Sequence, residues 1–306
     1  MQNSNRIVVA IPCYNEEQTI AKVVGDFRAN LPDAEVIVLD NRSTDRSAEF
    51  AALAGAVVVH VPRQGKGAVV RHIFREIDAD VYLMADGDDT YPADRAKDLI
   101  QPILERKADM VIGDRLSGGS YASENKRAFH NLGNSLVRRL VNFCFSSNIT
   151  DIMTGYRALS KRFAQNIPIL SDGFEVETEM TIRCLDRKLP VLEIPIIYRD
   201  RPQGSHSKLK TFHDGIRVIG TIFLILKTYR PFVFFGSLAF TALLTGIATG
   251  IPVIAEFLKK RYITHIPLAI LATGLVLVSM LLFNCALVLD TIAANEKQRN
   301  ELNMLK

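Results

Sequence analysis

The chain has 306 residues, enough to bury one large core or two modest ones. Charged residues make up 23% of it while mean hydropathy is +0.12, so a charged globular part is joined to a very apolar one. A net charge of +4 is too small to point to nucleic acid, and four scattered cysteines without a CxxC pair read as free thiols of a reducing compartment.

Met1 to Arg6 runs straight into Ile7–Ile11, an apolar stretch too short for a signal-peptide core, which predicts a cytoplasmic N-terminal domain. Strands rich in Val and Ile are predicted at Ile7–Ile11, Glu35–Leu39, Ala56–Val61, Val81–Ala85 and Asp109–Ile112. Helices fall between them at Glu16–Asn30, Thr44–Ala54, Lys66–Ile77 and Asp94–Lys107. This alternation predicts an α/β, Rossmann-like domain whose mainly parallel sheet gathers ligands at the carboxyl ends of its strands. Three polar clusters, Pro12–Glu16, Asp40–Asp45 and Asp86–Tyr91, directly follow strands and so share one sheet edge. Beyond Ile112 come a loop over Gly113–Lys126, a helix over Lys126–Phe145, a second helix near Glu175–Lys188 and a strand at Val191–Ile197.

Leu209–Tyr229 mixes Lys210, Arg217 and Lys227 with Phe212, Ile216, Ile219, Ile222, Phe223 and Leu226, the composition of an amphipathic juxtamembrane helix. Pro231–Ile254 and Ile266–Leu289 follow, each 24 residues without a charged side chain. About 20 such residues span the hydrocarbon core of a bilayer, so the pair predicts a two-helix transmembrane hairpin. Lys210, Arg217, Lys227, Arg230, Lys297, Arg299 and Lys306 flank its outer ends, against Lys259, Lys260 and Arg261 between the spans. That balance favours a cytoplasmic catalytic domain. The expected domains are therefore a catalytic domain over 1–204, the interfacial helix over 205–230, the hairpin over 231–289 and a cytoplasmic tail over 290–306. Homo-oligomerisation through the hairpin is a further expectation.

The chemistry concentrates at Asp86-Gly87-Asp88-Asp89. Three carboxylates so close repel one another unless a cation neutralises them, and Mg²⁺ or Mn²⁺ suits hard oxygen ligands combined with substrate phosphates. Asp86-x-Asp88-x-Thr90 also fits the DxDxT pattern of haloacid-dehalogenase-like phosphatases, but that motif follows a first strand and this one roughly a fourth. Gly65-Lys66-Gly67 lacks the GxxxxGK[ST] spacing of a P-loop, although a glycine-flanked helix N-terminus with a lysine favours nucleotide phosphates. With no HExxH, HxH or GxSxG motif, a zinc centre and a serine hydrolase are both disfavoured.

Taken in order, Ile11-Pro12-Cys13-Tyr14-Asn15-Glu16-Glu17, Asp40-Asn41-Arg42-Ser43-Thr44-Asp45, Gly65-Lys66-Gly67 and Asp86-Gly87-Asp88 resemble the GT-A glycosyltransferases of family 2. The run from Tyr198 to Leu209 ahead of the apolar spans resembles the polyprenyl-phosphate branch, which includes dolichol-phosphate mannose synthase and bactoprenol glucosyltransferases. The resemblance implies metal-dependent, inverting transfer from a nucleotide-sugar to undecaprenyl or dolichyl phosphate at the cytoplasmic membrane face. It places Pro12, Asn15, Glu16, Asp40, Lys66 and Asp86 at the nucleotide-sugar, and Asp86 and Asp88 at the metal. An anionic lipid phosphate approaching a diphosphate needs cations, for which Arg115, Arg127, Arg201 and Lys208 are the candidates. Asp151, in Asp151-x-x-Thr154-Gly155-Tyr156-Arg157, either orients an arginine or acts as a base. The expected catalytic set is thus Asp88, Asp151, Arg115 and Arg201. Glu175 and Glu177 read as exposed carboxylates of a helix's first turn, with direct catalysis as their alternative. Two rival functions remain at this stage: transfer to a sugar or glycolipid hydroxyl, and a non-catalytic membrane scaffold that binds nucleotide-sugars.

Overall fold

The computed structural model describes residues 5–117, 128–173, 175–199, 220 and 223–304. Its contacts divide the chain into two units, one ending at Gly215 and one beginning at Ile216. In the first unit the predicted strands form as β1 (Ile7–Cys13), β2 (Glu35–Asp40), β3 (Val57–His60), β4 (Val81–Met84) and β5 (Met110–Asp114). A short strand that the sequence does not announce, β6 (Arg157–Ser160), and the predicted β7 (Val191–Pro195) complete a seven-stranded sheet. Its order is β3-β2-β1-β4-β6-β5-β7, parallel throughout except for β6, which runs antiparallel to both β4 and β5.

The helices are α1 (Ile20–Asn30), α2 (Ser47–Leu53), α3 (Lys66–Glu76), α4 (Ala96–Leu104), α5 (Ala128–Phe145), α6 (Lys161–Asn166) and α7 (Val176–Asp186). Helix α1 packs with α2 and α4, while α3 packs with α6 and α7. Side chains alternate faces along a strand. On β1, accordingly, Val9 and Ile11 join Val23, Phe27 and Leu99 in one core cluster, and all four residues Val8–Ile11 are fully buried. Apolar strands covered on both faces are what a parallel sheet requires.

From β1 the chain moves outward through β2 to β3, then returns to place β4 on β1's other side. The loops after β1 and β4 therefore flank the point where strand order reverses, the crevice where open α/β sheets bind ligands.

The second unit holds two helices long and apolar enough to cross a membrane, α8 (Pro231–Lys260) and α9 (Ile266–Met304). Only 17% and 11% of their apolar windows are buried, which distinguishes them from core helices of a soluble protein. They run antiparallel, since Ala239 lies against Ser279 while Gly246 lies against Ala272. A Cβ at Gly246 would sit 3.1 Å from Val276 and 3.3 Å from the Ala272 carbonyl, so a small residue permits the close approach. The Ser279 hydroxyl donates to the Ala239 carbonyl at 2.8 Å, a buried bond between the helices. Both helices outrun the uncharged stretches: α8 continues to Lys260, which shortens the connection, and helix continues through the expected tail to Met304. Of the expected juxtamembrane helix, residues 223–229 are helical and most of the remainder lies outside the described residues.

Candidate active site

Three loops at the carboxyl edge of the sheet are tied into one framework by their own polar side chains. Asn15 and Arg42 adopt left-handed backbone (φ 52° and 67°), a conformation asparagine tolerates better than most residues. The Asn15 N–H donates to Ser43 Oγ at 3.0 Å, and its Oδ1 accepts from the Thr44 N–H at 2.8 Å. Asn15 therefore bridges the loops after β1 and β2. The Glu16 N–H donates to Ser47 Oγ at 2.7 Å, binding the same loops a second time. Asp40 is buried at the end of β2, where Oδ1 accepts from the Ser43 N–H at 3.2 Å and Oδ2 lies 3.1 Å from Nδ1 of His60, its register partner on β3. Buried Asn41 donates to the Val61 and Arg63 carbonyls and accepts from the Gly65 N–H at 2.7 Å, joining the loop after β3. Pro12 is half-buried in β1 opposite Leu39.

After β4 the three clustered carboxylates point to different partners. Asp86 Oδ1 lies 2.5 Å from Lys66 Nζ, and Asp89, left-handed at φ 60°, lies 2.7 Å from Lys22 Nζ. Asp88 is 3% exposed and its Oδ1 accepts from the Thr90 hydroxyl at 2.6 Å. Among the described residues no group of three or more His, Cys, Asp or Glu side chains is gathered for an ion. Two carboxylates completed by substrate phosphates are nevertheless the usual provision for Mg²⁺. The Lys66 ammonium on Asp86 shows that this oxygen already attracts a cation, so the donors fit a hard divalent ion.

Lys66 reaches further, to Glu177 Oε1 at 2.6 Å. This corrects the expectation of an exposed first-turn carboxylate: Glu177 is 4% exposed, and its Oε2 is buried without a hydrogen-bond partner. Glu175, just before the helix, is the exposed one. Burial raises the Glu177 pKa against the pull of Lys66, and burial likewise opposes the charge on Lys66, yet Asp86 and Glu177 hold its pKa above the ordinary lysine value. Gly155 forms a wall of this pocket, where a Cβ would fall 2.8 Å from both Asp86 Oδ2 and Lys66 Nζ. Its N–H donates to the Tyr91 hydroxyl at 2.9 Å, and the Tyr91 ring stacks on Tyr156 at 5.1 Å.

The N-terminus of α3 is not the open phosphate cradle its glycines suggest. The Gly67 N–H donates to the Asp172 carbonyl at 3.0 Å, and a Cβ at Gly67 would lie 1.9 Å from the Ser171 carbonyl oxygen. Arg71 donates to that same Ser171 carbonyl at 2.7 Å and pairs with Asp172, fastening the 169–172 segment in place.

A second charged centre follows β5. Arg115 holds Asp151 through two parallel bonds, Nε to Oδ2 at 2.7 Å and Nη2 to Oδ1 at 3.0 Å, both partners being largely buried. Although burial pushes the Asp151 carboxyl up, Arg115 and backbone N–H groups hold it below the ordinary carboxylate range. Tyr198 links the two centres: the Arg115 guanidinium lies 5.5 Å from its ring, which meets Tyr91 edge-on at 5.7 Å.

Two structural contributors escaped the sequence reading. Glu193 accepts from the N–H groups of Thr150 and Asp151, and Arg157, fully buried, donates to the carbonyls of Ile152 and Thr154 and to the Thr181 hydroxyl. Both fix the backbone that carries Asp151 and Gly155. Arg157 was legible only as part of a motif, and nothing local distinguished Glu193 on β7. Arg127, Arg201 and Lys208 lie outside the described residues.

The family described as Glycosyl transferase family 2 matches residues 8–167. Glycosyltransferase AglJ of Haloferax volcanii is 34% identical over 304 residues, covering 98% of this chain and 97% of the relative. A dolichyl-phosphate hexose transferase of the same organism is 31% identical, covering 69% of this chain and 90% of its own length. Among solved structures, glucosyl-3-phosphoglycerate synthase of Mycobacterium tuberculosis, in complex with Mn²⁺, UDP-glucose and phosphoglyceric acid, superimposes with a TM-score of 0.58 at 24% identity. That alignment spans 73% of this chain and 79% of the synthase, a likeness of fold.

Proposed function

The chain belongs to glycosyl transferase family 2 and is a glycosyltransferase, and from that premise we propose that it transfers a sugar from a nucleotide-sugar to undecaprenyl or dolichyl phosphate at the cytoplasmic membrane face. In this reading the framework of Pro12, Asn15, Glu16 and Asp40 receives the nucleoside, with Lys66 and Asp86 at the diphosphate end. Mg²⁺ or Mn²⁺, held by Asp86 and Asp88, would offset the charge growing on the departing nucleoside diphosphate. Arg115 receives the acceptor phosphate, joined by Arg127, Arg201 and Lys208. A phosphate oxygen attacks the anomeric carbon as the bond to the diphosphate breaks, with inversion at that carbon. The two apolar helices tether the enzyme to the bilayer that carries its lipid acceptor.

One observation favours a phosphate acceptor over a hydroxyl: Asp151 is committed to Arg115 through both oxygens. A carboxylate so paired, with its pKa depressed, is a poor general base. Glu177, the other buried candidate, is committed to Lys66. A hydroxyl acceptor needs a base, whereas a phosphate, with a second pKa near ~6, is already an anionic nucleophile at neutral pH. Asp151 thus serves better to orient Arg115 than to act as a base.

The test is to incubate the full chain in detergent with polyprenyl phosphate, Mg²⁺ or Mn²⁺, and a panel of radiolabelled nucleotide-sugars. One donor is expected to label the lipid fraction, and Asp88→Ala to abolish that labelling. Failure of every donor, or equal labelling by Asp88→Ala, overturns the reading. A scaffold that only binds nucleotide-sugars would release no nucleoside diphosphate.

A further inference from the structure

Lys66 Nζ stands between two carboxylates, 2.5 Å from Asp86 Oδ1 and 2.6 Å from Glu177 Oε1, with only 10% of its side chain exposed. An ammonium that close to Asp86 repels a divalent ion approaching the same carboxylate and competes with it for the negative charge. Glu177 meanwhile carries a second oxygen, Oε2, that is buried and accepts no hydrogen bond. An unmatched buried acceptor is costly, and Lys66 already donates to the other oxygen of the same carboxylate. The pocket therefore provides the lysine with two stations, one shared with Asp86 and one entirely on Glu177.

We propose that Lys66 gates metal binding: its ammonium holds Asp86 against a divalent ion, and yields by moving onto both oxygens of Glu177 when a nucleoside diphosphate arrives with the metal. This rests on the reading of Asp86 as a metal ligand. A metal alone must displace a charge-assisted contact in a buried pocket, while a metal arriving with a diphosphate brings further ligands to offset that loss. Glu177 is then a positioning residue that keeps the lysine within the pocket after it leaves Asp86. Gly155 leaves room for the movement, because any side chain there would abut both Lys66 Nζ and Asp86 Oδ2.

The test is a titration of the full chain in detergent with Mn²⁺, following the paramagnetic resonance of free ion, with and without UDP or GDP. The double variant Lys66→Met with Glu177→Gln leaves the formal charge of the site unchanged. It is expected to bind Mn²⁺ alone at least about tenfold tighter than the wild type, the scale of one lost charge-assisted contact. Glu177→Gln, which retains Lys66 but weakens its second station, is expected to bind Mn²⁺ with nucleoside diphosphate about tenfold more weakly, with its affinity for Mn²⁺ alone not increased. Thermal melting of each variant separates these effects from misfolding; if the double variant does not fold, Glu177→Gln decides. If the wild type binds Mn²⁺ with nucleoside diphosphate but neither variant changes its affinities as stated, the gate is overturned and the metal site stands. If no Mn²⁺ binds under any condition, the metal site and the gate fall together.

Discussion

Asp151 and Arg115 are joined by two parallel bonds, and this bidentate geometry leaves little freedom to either. Removing one member of a buried pair leaves its partner uncompensated, at a cost of about 3–5 kcal/mol. Asp151→Asn should therefore lower the melting temperature distinctly, whereas an exposed pair such as Arg46–Glu49 should be nearly silent. The pair also sets a pH dependence. The Asp151 pKa is lower in the folded chain than in the unfolded one, so its stabilisation is complete above the ordinary carboxylate value of about 4 and is lost as pH falls through the folded value. Below about pH 4 the wild type should lose stability more steeply than Asp151→Asn, as melting temperatures across an acid series would record; parallel profiles would contradict the assignment.

At the scale of elements, the glycines of the site divide into two kinds. A Cβ at Gly67 would strike the Ser171 carbonyl, part of a backbone fastened by Arg71. Gly67→Ala should therefore cost about 2 kcal/mol or more and appear mainly as lowered thermal stability. At Gly155 the obstructing atoms are instead the ends of the Asp86 and Lys66 side chains. Gly155→Ala should leave melting nearly unchanged while removing most transferase activity, and the reverse pattern would refute this division of roles. The same elements mark what the sequence can express. Strands β1 to β5 and helices α1 to α4 were legible because their apolar periods are strong, and chain direction alone placed Asn15, Asp40 and Asp86 on one edge. Strand β6 was not, because Arg157-Ala158-Leu159-Ser160 has no apolar run and owes its form to pairing with β4 and β5. The burial of Glu177 is illegible for a similar reason. A glutamate in a helix's first turn is ordinarily solvated, and the buried lysine that overrides that tendency lies on a helix remote in the chain.

At the scale of the molecule, a charged α/β unit and an apolar helical pair account for the composition that first set the two halves apart. The uncharged runs located α8 and α9 because bilayer thickness fixes their minimum length, but charge-free length does not report where a helix ends. The basic residues at the outer ends support the proposal that those ends are cytoplasmic, and cysteine labelling in intact cells tests it. Tyr262→Cys, in the exposed connection, should react with a membrane-impermeant maleimide, and Gln298→Cys, exposed near the end of α9, only after permeabilisation; inverted reactivity would reverse the topology. Cys13, Cys144 and Cys184 are buried and Cys285 lies within α9, so background labelling should be low. Transfer of the sugar to a phosphate oxygen is tested by ³¹P NMR of the lipid recovered after turnover. The phosphomonoester signal of the polyprenyl phosphate is expected to be replaced by a phosphodiester signal, one for each nucleoside diphosphate released. A glycosylated lipid that keeps its phosphomonoester signal would contradict it.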